Sequence, residues 1–157
     1  MKLKPVSFLA TASFLLVACA PATDPAGQST SFATDVSYVN GRVPGDQGPP
    51  FSGAVWVDDT LYVSGALGLV NGEVPDDPAD EARAVMDSVK GTIEAAGLTM
   101  DDIVVTQVFC SDVSQYGAFN EVYAGYFTNT YPARAFIGSG PLLFGARFEV
   151  MVTAVRR

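Results

Sequence analysis

The stretch DPADEARAVMDSVKGTIEAAG, residues 77–97, followed by IVVTQVF, residues 103–109, decides the fold. Asp77 offers a side-chain oxygen to the free amides of a helix start, and Pro78 fits the first turn, where its missing N–H costs nothing. Ala82, Val85, Met86, Val89, Ile93 and Ala96 then recur at helical spacing. Gly97 closes the helix as the residue that tolerates a left-handed conformation. The apolar run from Ile103 to Phe109 reads as a buried strand.

Reading outward, the runs Ala54–Val57 and Leu61–Val63 flank Asp58-Asp59-Thr60 and read as a β-hairpin. Ser64-Gly65-Ala66-Leu67-Gly68 reads as a glycine-punctuated loop, and Asn71-Gly72 as a turn. Downstream, Asp112 offers a second helix cap. Phe119, Val122, Tyr123, Tyr126 and Phe127 form a second apolar helical stripe, which Pro132 stops. Ala133–Ile137 reads as a short strand and Arg147–Val155 as a long one. A short strand at Val36–Val39 precedes the Pro/Gly-rich loop of residues 41–50. The order is ββαβαββ with an extra leading strand. It predicts an α+β fold with two helices on one face of a sheet.

The whole chain has 157 residues, 9 Lys+Arg, 17 Asp+Glu, no histidine and two cysteines, Cys19 and Cys110. Without histidine there is no Ser-His or Cys-His nucleophile pair and no His-ligated zinc. Two distant cysteines make no thiolate metal site, so no metal is expected. A net charge of −8 argues against nucleic acid as a partner, because phosphate contacts need clustered Lys and Arg. Acid–base chemistry here falls to carboxylates, Tyr, Arg, Lys or water.

The first 34 residues read differently from the rest. Lys2 and Lys4 precede an apolar run, Phe8–Ala18, too short to span a bilayer, which takes about 20 residues. Leu16-Val17-Ala18-Cys19 resembles a bacterial lipoprotein cleavage box. The resemblance implies a signal peptide at 1–18, lipid on Cys19 as the membrane anchor, a flexible tether over 19–34 rich in Ala, Pro, Thr and Ser, and a domain over 35–157. Ala20 after the cysteine matches outer-membrane sorting, which implies an exported protein at the periplasmic face of a Gram-negative outer membrane.

Residues 50–157 carry a second resemblance. Ser64-Gly65 after a strand, Glu94-Ala95-Ala96-Gly97-Leu98, Asp101-Asp102-Ile103-Val104, Asn120-Glu121-Val122-Tyr123, Tyr131-Pro132-Ala133-Arg134 and the terminal Glu149–Val155 segment resemble the RidA (reactive intermediate/imine deaminase) family in order and spacing. The resemblance implies a chorismate-mutase-like fold, a homotrimer with ligand clefts between subunits, and no cofactor. It also implies hydrolysis of small 2-imino acids to 2-keto acids and ammonia.

The same resemblance supplies the candidate site. Arg134 matches the family's key arginine, and its planar guanidinium can hold a substrate carboxylate in bidentate fashion. Ser64, Gly65 and Asn120 match cleft-lining positions. Phe51 stands where many members carry a Tyr, and Phe136 where many carry Cys or Thr. Met151 occupies the strand position read as that of the family's water-positioning glutamate, which predicts weakened catalysis. Glu149, two residues earlier, shares Met151's strand face and reads as an exposed or intersubunit salt-bridge carboxylate. Two functions stay open: an imine hydrolase of reduced activity, and a non-catalytic trimer that binds a small carboxylate in the same cleft.

Overall fold

A computed structural model describes residues 34–157. The expected signal peptide, tether and lipid-bearing Cys19 all fall outside the described residues, apart from residue 34. Six strands form one sheet: β1 (Val36–Val39), β2 (Ala54–Val57), β3 (Thr60–Leu67), β4 (Ile103–Cys110), β5 (Ala133–Gly138) and β6 (Phe148–Val155). Two helices, α1 (Pro78–Ala95) and α2 (Tyr116–Ala124), complete the α+β fold that the sequence predicts. The spatial order is β1-β2-β3-β6-β4-β5. All neighbours are antiparallel except β4 and β5, which α2 connects in parallel.

Local chemistry sets the elements as read. The Asp77 side chain accepts from the Ala79 amide at 2.7 Å, and Gly97 adopts φ +78° just past the end of α1. The stripe Ala82, Val85, Met86, Val89 and Ile93 is fully buried against the sheet. Each such side chain stabilises the fold by roughly 1.5–3 kcal/mol, Ala less. On the facing side Leu61, Val63, Val108, Phe148, Val150 and Val152 alternate into the same core.

Two expectations are corrected. The Ser64–Leu67 segment is strand, not loop: β3 runs through it by means of an irregularity between Val63 and Ala66, so that Ser64 and Gly65 lie opposite Met151. This is how a sheet absorbs an extra residue without breaking its pairing. Helix α2 ends at Ala124, with Gly125 as its cap, well before Pro132. Tyr126 and Phe127 still pack on the core from the loop that follows.

One buried ion pair fixes α1 to the sheet. Glu81 is fully buried, and its Oε1 accepts from the Arg147 and Phe148 amides at 2.6 and 3.0 Å. Its Oε2 lies 2.6 Å from Arg147 Nε, an ion pair without hydrogen-bond alignment, and the Arg147 guanidinium also donates to the Pro75 carbonyl. Among the described residues no helix lies on the second sheet face. Tyr62, Val105, Ile137 and Met151 stand exposed there.

Candidate active site

Strand alternation sends neighbouring residues of β5 to opposite sheet faces. Arg134 and Phe136 therefore turn to the helix side, paired in the sheet with Thr106 and Val108. The half-buried Arg134 guanidinium lies 4.5 Å from the Tyr123 ring centroid, 5.8 Å from that of Tyr116 and 5.9 Å from that of Phe136. These distances are within cation–π range. Arg134 Nη2 donates to Asn120 Oδ1 at 2.7 Å. Among the described residues no carboxylate pairs with Arg134. A caged, oriented guanidinium with no acidic partner keeps its remaining donors for an anion from outside.

The surrounding groups are held firmly. Tyr123 is nearly buried, its hydroxyl donates to Thr106 Oγ1 at 3.1 Å, and burial pushes its phenol pKa up. Tyr116 is exposed, and its phenol is shifted below the ordinary value by the Asn120 amide first and by the Arg134 charge. Phe136 packs edge-on against Tyr116 at 5.0 Å and against Phe119 at 5.6 Å. It forms the ring wall behind Arg134. Beside Arg134 opens a cavity of about 350 Å³, bounded by Asn120, Tyr123, Ala124, Tyr131 and Pro132.

The other site residues gather elsewhere in the chain. Phe51, Ser64, Gly65, Glu149 and Met151 line a cavity of about 700 Å³ together with Leu143 and Phe144. Ser64 Oγ donates to the Ser52 carbonyl at 2.7 Å, so this hydroxyl ties β3 to the segment that carries Phe51. A side chain at Gly65 would collide with Glu149 Oε1 and come within 3.1 Å of its Cδ. The bare glycine makes room for that carboxylate. Among the described residues Glu149 makes no ion pair, and it is half-buried in the cavity. Of the two alternatives read for Glu149, the exposed one does not hold within the chain, where the residue is half-buried.

The structure therefore brings Arg134 and Asn120 together, and Phe51, Ser64 and Gly65 together, as two separate groups. Strand alternation alone makes Glu149 and Met151 equivalent in the sequence, and no sequence pattern singles out Tyr116. Among the described residues no group of three or more His, Cys, Asp or Glu side chains could hold a metal ion. Cys110 is buried and free, and burial raises its thiol pKa, which keeps it unreactive.

The family model described as Endoribonuclease L-PSP matches residues 33–156. The chain belongs to the RidA family. Its match reaches ahead of the Gly/Pro loop to include β1, beyond the span on which the sequence resemblance rests. The mouse 2-iminobutanoate/2-iminopropanoate deaminase is 36% identical over 110 residues, covering 68% of this chain and 82% of that protein. The Escherichia coli K12 protein of the same name is 36% identical over 113 residues, covering 69% and 88%. Among solved structures, E. coli TdcF with bound serine superposes with a TM-score of 0.70 at 31% identity, covering 77% of this chain and 99% of that one. RidA relatives thus share the fold that positions both groups of residues.

Proposed function

We propose that this RidA-family protein is a hydrolytic deaminase of small 2-imino acids, working in clefts between the subunits of a homotrimer. The Arg134 guanidinium carries this reading: it is caged by rings, oriented by Asn120 and unpaired with any carboxylate among the described residues. The deaminase names of relatives about 36% identical support it, and the serine bound to TdcF supports a small amino-acid-like ligand.

In this reading Arg134 of one subunit faces the Glu149–Gly65 cavity of a neighbour. Arg134 holds the substrate carboxylate and so fixes the imine carbon, where proximity lowers the barrier. A water adds its oxygen to that carbon, and Glu149 takes the water's proton. Glu149 passes that proton to the nitrogen, giving a carbinolamine, then relays the hydroxyl proton to the same nitrogen, so that the C–N bond breaks, ammonia leaves, the carbonyl forms and Glu149 is ionised again. No cofactor is required. Met151 accepts no proton, and Glu149 in the same cavity supplies the carboxylate that the step needs. The open sheet face with Tyr62, Val105 and Ile137 is the natural subunit contact.

The test is 2-keto acid release from imines generated in place by an amino-acid oxidase. Turnover should fall with Arg134→Ala, and by about 10²–10⁴-fold with Glu149→Gln. A wild-type rate equal to buffer sinks the enzyme reading. Binding of pyruvate that depends on Arg134 would then favour the second reading, a carboxylate-binding trimer, for which Met151 is the specific argument. In that same assay Met151→Glu should raise a wild-type rate only if position 151, not Glu149, is limiting. The net charge of −8 speaks against RNA as substrate. The leader sequence supports anchorage through lipid on Cys19 at the periplasmic face of the outer membrane, testable by mass spectrometry of the mature N-terminus.

A further inference from the structure

The cavity beside Arg134 is lined by two groups with fixed polar heads, Arg134 and Asn120, and otherwise by Tyr123, Ala124, Tyr131 and Pro132. Its volume of about 350 Å³ far exceeds what a methyl or ethyl group fills. A cavity of about 150 Å³ already accepts a benzene ring.

Ring contacts and hydrogen bonds support the walls. Tyr123 packs on Phe127 at 4.8 Å between ring centroids, and Phe127 on Tyr131 at 5.9 Å. These separations suit tilted and edge-on aromatic contacts. The backbone leading to Tyr131 is tethered as well: the Asp101 carboxylate accepts from the Thr128 amide at 2.9 Å and from Asn129 Nδ2 at 2.9 Å. A ring series that ends at an open, ring-lined cavity, next to the group that holds a carboxylate, offers the next place in the series to the ligand.

We propose that this cavity receives the substrate's side chain, and that the protein prefers 2-imino acids bearing an aromatic side chain over those bearing a methyl or ethyl group. The inference rests on the reading of Arg134 as the carboxylate anchor. A carboxylate on Arg134 and a planar imine carbon set the side chain one bond further out. An aromatic group there displaces water from the Tyr123, Tyr131 and Pro132 surfaces, whereas a methyl group leaves that water in place.

The test uses the full chain and two stable 2-keto acids, phenylpyruvate and pyruvate, titrated by calorimetry. Phenylpyruvate should bind at least about tenfold tighter, since even one methylene in an apolar pocket discriminates by that order. Ala124→Trp, which fills the cavity from the exposed end of α2, should collapse the ratio towards one. Tyr131→Ala, at an exposed position, should lower it independently if the tryptophan variant misfolds. Equal wild-type affinities, or a ratio that neither variant changes, overturn the side-chain inference and leave the deaminase reading standing. Binding of both acids that survives Arg134→Ala overturns the anchor and, with it, this inference.

Discussion

The Glu149 carboxylate occupies the space that a side chain at Gly65 would fill. Two strands contribute to this relationship. The irregularity in β3 sets Ser64 and Gly65 against β6, and β6 turns Glu149 to the face opposite α1 and α2. Gly65 thus leaves the room that the Glu149 carboxylate occupies, and a larger side chain there makes that carboxylate shift. Gly65→Ala should lower imine turnover to within about tenfold of Glu149→Gln, out of the 10²–10⁴-fold that a general base supplies. Parallel measurement of thermal unfolding separates this loss from misfolding.

Arg134 depends on Asn120 for its orientation. Asn120→Ala removes a 2.7 Å hydrogen bond to a charged group, an interaction worth about 1.5–3 kcal/mol. Pyruvate affinity should fall by about tenfold or more, and Arg134→Lys should fail to restore it in the double variant, because a point charge lacks the planar fork. Calorimetry reads both.

Tyr116 gives that binding an alkaline limit. Asn120 and Arg134 hold its phenol below the ordinary value, which is about 10. Below its pKa the phenol is neutral. Above it, a phenolate beside Arg134 competes with the ligand for the guanidinium. Pyruvate affinity should therefore weaken as pH rises through the phenol's lowered pKa. Tyr116→Phe should remove that weakening while leaving affinity at neutral pH nearly unchanged.

Glu81 and Arg147 join α1 to the start of β6. Removing one partner of a buried pair costs about 3–5 kcal/mol, because the other charge is left without a partner. Arg147 keeps a quarter of its side chain exposed, so Glu81→Ala should cost about 3 kcal/mol, the low end of that range. Denaturant unfolding at neutral pH measures it. Glu81→Gln, which retains an acceptor for the two amides, should cost less.

Asp101 adds an acid-sensitive contribution. Its carboxylate accepts from Thr128 and Asn129, and these bonds, the Thr128 side chain foremost, hold its pKa below 3.8. A depressed carboxylate stabilises the fold above its unfolded pKa and loses that contribution as pH falls through the folded value. Wild-type stability should therefore drop between pH 3.8 and the lower folded pKa more than that of Asp101→Asn. The same variant should loosen the segment leading to Tyr131, seen as faster amide exchange around residues 128–131.

The sequence by itself determined the elements. Asp77, Pro78 and Gly97 bound α1 because caps act on atoms a few residues away, and the apolar periods of α1, β4 and β6 predict which side chains are buried. The resemblance carried by Tyr131-Pro132-Ala133-Arg134 also marked Arg134. Only the tertiary structure decided how far β3 runs, where α2 stops, and where each carboxylate lies. Glu81 looks like a solvated helix residue until Arg147, 66 residues away, arrives beside it. Glu149 and Met151 share a strand face by their spacing. Only the pairing of β6 with the bulged β3 puts the Glu149 carboxylate against Gly65. Alternation along a strand is a local property of the backbone, whereas register between strands is fixed by the packing of the whole sheet.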